Sequence, residues 1–355
     1  MDLRIVASMV IACSLCGCSA VEFAWQGVAG QADLIARARP IADVIATTSD
    51  PALKARLIKA QAIRAFATRE LGLPDNRSYT SYADVGRPYV VWNVFATPEL
   101  SLATRQWCFP VAGCVAYRGY FSEADAREEA ARLAALGDDV HIGGVPAYST
   151  LGYFDDAVLS TFVRYREVEL ARLIFHELAH QVVYVKDDSS FNESFATAVE
   201  EAGLERWLAA EAKARGPAAA AELVADARRT QRLRTFFRDL IATTRNRLTL
   251  VYASSISDGD KRAGKKAAFA DMQAAYERQK ASSDGAGGFD RWFAAGPNNA
   301  GIAAAALYAD KVPQFTALLE AEHGDFPRFF SRVKALAALP KAEREPALIA
   351  LARRD

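Results

Sequence analysis

Apolar residues recur at helical spacing from Asp33 to Ala46 and from Pro51 to Leu71, so residues 19 to about 75 read as mostly helical, up to the breaker Leu73-Pro74-Asp75-Asn76. The pattern then changes. Tyr89-Val90-Val91-Trp92-Asn93-Val94-Phe95 is β-branched and aromatic and predicts a strand. Trp107–Phe109 and Cys114–Phe121 predict two further strands joined near Gly113. Ser122 as N-cap, an Ala/Glu/Arg-rich body to Leu136 and Gly137 at the end predict a helix. Val140–Val145 and Tyr148–Tyr153 read as short extended segments.

From Glu167 the pattern is nearly all helical, with helices expected at 165–185, 191–212, 217–247 and 258–281 and another after Asn299. Ser282–Gly288 reads as a polar, glycine-rich loop. The fold class is therefore α+β, predominantly helical. A single domain over 19–355 is expected, with an N-terminal α/β lobe at about 19–165 and a helical lobe at about 166–355. A chain of 355 residues, 51% hydrophobic, can bury a sizeable core. Basic and acidic residues balance at 43 each, which removes any electrostatic reason to expect nucleic acid or an anionic surface as partner.

The N-terminus carries separate information. Ile5–Leu15 is an apolar run preceded by Arg4, too short for a mature membrane span and suited to the core of a secretory signal. Leu15-Cys16-Gly17-Cys18 resembles a bacterial lipobox, with Cys18 at the lipidated position and residues 1–18 as the signal peptide. An ordinary signal with incidental cysteines is the other reading. Ser19 after Cys18 implies an anchor in the outer membrane facing the periplasm. That leaves Cys108 and Cys114, five residues apart across a loop containing Pro110 and Gly113. An oxidising compartment favours a disulfide between them; two reduced core cysteines are the alternative.

His176-Glu177-Leu178-Ala179-His180 is an H-E-x-x-H motif. On a helix, positions four apart share a face, so both imidazoles can hold one zinc ion with Glu177 beside them as general base. Two of the chain's four histidines fall here, inside a segment that is apolar nearly all round. A His/Glu/His stripe on a buried helix is costly unless something satisfies it. A metal with its water does so, as do satisfied core histidines. After the polar turn at Lys186–Ser190, Asn192-Glu193-Ser194-Phe195-Ala196 offers Glu193 as third ligand. Glu200, seven residues on, shares that face as a rival ligand or as the partner of a ligating histidine. Asp187 and Asp188 read as turn residues, Glu201 as a solvated position, and His141 and His323 as surface histidines.

H-E-x-x-H followed by N-E-x-x-A resembles the gluzincin metallopeptidases, which implies a zincin-like fold, His176, His180 and Glu193 as ligands of one zinc, and Glu177 as catalytic base. Only twelve residues, Gln181–Asn192, separate His180 from Glu193, fewer than in most gluzincins, so the connection must be tight. More closely, the chain is similar over nearly its whole mature length to a bacterial family of lipoproteins described as aminopeptidases. The matching stretches are Trp25–Gln31, Glu70–Asn76, Tyr89–Ala96, Gly144–Gly152, the metal motif and Pro297–Ala300. The resemblance implies a zinc-dependent peptidase acting on peptides, with the membrane reached through Cys18. A metal-binding periplasmic lipoprotein with a structural or assembly role is the competing reading, against which the presence of Glu177 speaks. Gly143–Gly152 is the expected peptide-binding strand, and Tyr148 and Tyr308 are candidate oxyanion donors. Asn298 and Asn299 could donate to substrate or simply form a turn.

Overall fold

The computed structural model describes residues 23–109, 113–282, 288–307 and 311–352. Cys18 and Tyr308, the whole signal segment and most of the Ser282–Gly288 loop lie outside them. Among the described residues the chain is mostly helical with small sheets.

The N-terminal part opens with α1 (residues 23–37), β1 (Arg39–Pro40), α2 (Ile41–Thr47) and α3 (Pro51–Leu71). The single helix expected at 33–46 is therefore split. Pro40, with no N–H and a fixed φ, ends one helix and precedes the next. α3 is bounded as its ends dictate: Asp50 accepts from the Ala52 and Leu53 amides, Pro51 opens it, and Gly72 closes it at φ 64°.

β2 (Ser81–Ala83), β3 (Val91–Pro98), β4 (Trp107–Phe109), β5 (Gly113–Val115), β6 (Arg118–Tyr120), α4 (Glu123–Ala135), β7 (Asp138–Val145) and β8 (Val158–Leu159) follow. The strand expected over Cys114–Phe121 is broken in two at Ala116-Tyr117. β6, β3 and β7 form an antiparallel sheet in that order, with β7 at an edge. β4 and β5 form a hairpin joined by a disulfide between Cys108 and Cys114. Alternation along β3 sends Trp92, Val94 and Ala96 into a cluster with Ala126 and Leu133 of α4. β7 ends at Val145. Residues 146–154, expected in part as extended strand, are irregular and carry Leu151 at φ 57° and Gly152 at φ 83°.

The rest is helical: α5 (Glu167–His180), α6 (Ser189–Arg215), α7 (Pro217–Ala253), α8 (Asp258–Ser282), α9 (Asp290–Ala294), α10 (Asn299–Leu307), α11 (Val312–Ala321), α12 (Phe326–Ala337) and α13 (Lys341–Ala352). α5 packs against α3, α6 and α7, and this explains why it is apolar on almost every side. The largest core cluster joins α2 and α3 to α5, α6, α11 and α12. His141 of β7, expected at the surface, is half-buried near Phe95 and Trp292, and burial lowers its pKa to about 4. Asn298 and Asn299 are ties rather than substrate donors: Asn298 donates to the Val140 carbonyl, and buried Asn299 donates to the Glu99 carbonyl and accepts from the Tyr252 hydroxyl.

Phe195 of α6 is fully buried against Phe315, Phe329 and Phe330, the point where α11 and α12 lock onto α6. Phe195→Ala is expected to cost about 3–5 kcal/mol, read as a lowered denaturation midpoint with an unchanged slope.

Candidate metal centre and active-site cleft

The polar stripe of α5 faces the first two turns of α6, and the connection between the helices makes this possible. Asn192 pins it with both ends of its side chain, accepting from the Val185 amide at 2.7 Å and donating to the Val185 carbonyl at 2.8 Å. Asp188 caps α6 by accepting from the Phe191 amide, and its other oxygen takes Arg344 at 2.9 Å. Asp187 turns the chain at φ 64° and accepts from the Cys114 amide, so the disulfide hairpin braces the same turn. Glu193 is thereby presented one residue after Asn192, facing the two histidines.

His176 Nε2, His180 Nε2 and Glu193 Oε2 converge. The two nitrogens are 3.2 Å apart, and the carboxylate oxygen lies 3.2 Å from the first and 3.7 Å from the second. Zinc bonded at 2.0–2.2 Å in a tetrahedron separates its ligand atoms by about 3.3–3.6 Å. The triangle has that size. The two nitrogens are within hydrogen-bonding distance of each other, and the same spacing with Glu193 Oε2 fits three donors to one divalent cation.

Glu200 stands behind His176, 3.1 Å from its Nδ1. With a cation in place of the Nε2 proton, an Nδ1–H donated to Glu200 would leave the Nε2 lone pair pointing at the triangle. Glu200 is buried, and its charge is matched by Arg172 at 2.8 Å and Arg234 at 3.4 Å. Burial works against a charged His176, yet Glu193 and Glu200 outweigh it and raise its pKa to about 10. Both acids are lowered to about 2 against the effect of burial: Glu193 by His180 and His176, and Glu200 by Arg234, His176 and Arg172. Burial pushes the Glu177 carboxyl up, while the two histidines pull it down.

The triangle opens into a cavity of about 1500 Å³, also lined by Glu177, Tyr148, Tyr117 and Tyr184. Tyr148, a candidate from the sequence, stands on the cavity wall with its ring edge-on to Phe121. Tyr117 and Tyr184 were not foreseen. Burial first, then the charge of Glu193, raises both phenols, so both keep their O–H at neutral pH. Tyr117 reaches the cavity because the chain bends between β5 and β6. Tyr184 lies beyond the end of α5, in the non-helical connection to α6, so the helical spacing of the motif does not extend to it. Glu201, expected to be solvated, lines the cavity and pairs with Arg238 at 3.0 Å.

Asp156 holds the 146–154 segment against the end of α5. It accepts from the Thr150 amide at 3.1 Å, the Thr150 hydroxyl at 2.7 Å and Gln181 Nε2 at 3.3 Å. Gln181 in turn donates to Ser78 and accepts from Asn76 at 2.7 Å, so the breaker after α3 takes part.

The family described as "Putative aminopeptidase" matches residues 22–348, and the chain belongs to that family. No curated protein and no solved structure matches it.

Burial, against the Thr150 donors, raises the pKa of Asp156 from 3.8 to about 6. A raised pKa means that the neutral form is favoured in the fold. Its stabilising contribution is therefore complete below pH 3.8 and is lost as pH rises through about 6. Asp156→Asn, which cannot ionise, is expected to gain on wild type by on the order of 2–3 kcal/mol between pH 4 and pH 7, measured as the difference in urea midpoints across that range.

Proposed function

We propose that this protein is a zinc-dependent peptidase in which His176, His180 and Glu193 hold one zinc ion and Glu177 is the general base. The observation that carries this reading is the convergence of two imidazoles and a carboxylate at tetrahedral spacing, in a cavity that Glu177 also lines. Family membership makes peptide hydrolysis the reaction class.

Zinc bound there supplies Lewis acidity toward a water and toward the scissile carbonyl. The chain's own residues handle the protons. Glu177 accepts a proton from water as its oxygen adds to the carbonyl carbon, and delivers that proton to the leaving nitrogen as the C–N bond breaks. Burial raises its basicity, and the neighbouring histidines act in the opposite direction. Glu200 orients His176. Arg172 and Arg234 hold Glu200 in its ionised form, which keeps His176 in one tautomer. The protonated phenols of Tyr117, Tyr148 and Tyr184 are the donors available to the oxygen that becomes negative during attack. Tyr308 remains a further candidate.

Metal analysis of the soluble chain from Ser19 is expected to give about one zinc per chain, retained in Glu177→Gln. Peptide hydrolysis by Glu177→Gln is expected to fall by about 10²–10⁴-fold. Equal cleavage by both proteins removes Glu177 as base; a zinc-free chain that still cleaves removes the metal.

We also infer that Cys18 is lipidated and anchors the protein at the periplasmic face of the outer membrane. Labelled fatty acid is expected to be incorporated into wild type, and not into Cys18→Ser. The substituted chain should then appear in the soluble fraction.

A further inference from the structure

Ten large hydrophobic side chains are exposed among the described residues, and five of them, Val28, Ile35, Tyr148, Tyr153 and Phe154, line the same cavity as the metal-ligand triangle. Tyr153 is 72% exposed and Phe154 50%. Exposed aromatic side chains gathered around one opening mark a binding surface rather than ordinary surface scatter.

The rim is built, not loose. Asp156 ties Thr150 to Gln181 at the C-terminal end of α5. α1 joins the same wall because Gln26 donates to the Gly119 carbonyl and accepts from the Phe121 amide, and Phe121 lies against Tyr148 at 5.5 Å. The opposite end of the cavity has a different chemistry. There Glu169 pairs with Arg234 and Glu201 with Arg238, so charges are matched and neither sign is favoured. From Arg166 to Gln181 the helix rises about 22 Å, the span of about six extended residues. The histidines lie nearer the apolar end.

We propose, resting on the peptidase reading, that the substrates are oligopeptides lying along α5, with a bulky apolar side chain seated in the rim of Val28, Ile35, Tyr148, Tyr153 and Phe154. The rim shares a cavity with Glu177, so the occupant is the peptide being cut rather than a separate partner. The α7 side of the cavity adds Leu233, Phe237 and Phe289 beside its ion pairs, but these side chains are not among the exposed ones, so the solvent-facing apolar surface for a substrate side chain is the rim.

The test compares two hexapeptides, one with phenylalanine or leucine flanking the cleaved bond and one with only small polar residues. The zinc-loaded wild type is set against Tyr153→Ser and Phe154→Ser, both exposed positions where folding is little affected. The variants are expected to lose about 10–100-fold in kcat/KM on the apolar peptide and to stay within about twofold on the small one. Binding of the apolar peptide to Glu177→Gln should weaken by a similar factor when either rim substitution is added. Equal losses on both peptides, or none on either, overturn the proposal. So does rim-dependent binding to phosphatidylcholine vesicles with unchanged peptide discrimination. If wild type cuts neither peptide while Glu177→Gln still binds the apolar one through the rim, the apolar subsite stands and the hydrolytic reading falls.

Discussion

Placing ionisable groups inside a helical core is the constraint around which this protein is organised. α5 buries apolar residues against three neighbouring helices and yet carries Arg172, His176, Glu177 and His180 along one stripe. Charges removed from water are tolerated only when matched. Glu200 is matched by Arg172 and Arg234. Glu193 has no arginine or lysine partner among the described residues and faces the two histidines alone. Glu193 and the two imidazoles are thus left to balance one another at one point, where two ring nitrogens lie 3.2 Å apart. Which acids the arginines neutralise decides which carboxylate is left facing the histidines.

Holding Glu193 at that point depends on a short connection. Eight residues, 181–188, must reverse direction between helices that stay in contact. Asn192, Asp188 and Asp187 spend their side chains on backbone groups and on the β4–β5 hairpin. The asparagine preceding Glu193 thus holds the turn that presents Glu193 to the two histidines. The disulfide hairpin, remote in sequence from the histidines, bears on the metal turn through the Cys114 amide.

The cleft above this centre has walls of unlike origin. α1, the break between β5 and β6, the irregular 146–154 segment and α7 each supply one side. The sheet contributes through one face of β3, where Val91 and Asn93 line the cavity while Trp92 and Val94 pack on α4. The cavity along α5 therefore has an apolar rim at one end and ion pairs beside Leu233 and Phe237 at the other, with Glu177 and the histidines also in its lining.

Short-range features of this protein were legible in its sequence. Helices with clear period, caps and breakers appear close to where the pattern places them, because hydrogen bonding and burial in a helix depend on residues three and four apart. The stripe of His176, Glu177 and His180, and the seven-residue step from Glu193 to Glu200, follow from the same local geometry. Tertiary structure decided everything that depends on distant partners. Nothing local marks Tyr117 among twelve tyrosines, since its position comes from a bend in a short strand. The 146–154 segment has strand-like composition but is held out of the sheet by Asp156 and Gln181. His141 lies between Val140 and Ile142 in sequence, and only the fold sets its ring near Phe95 and Trp292. The contacts of Glu200, with His176 Nδ1, Arg172 and Arg234, come from the fold, and Arg234 lies on a helix more than thirty residues away. Charge balance in a core is a property of what packs together, and only the folded chain brings those groups within a few ångströms.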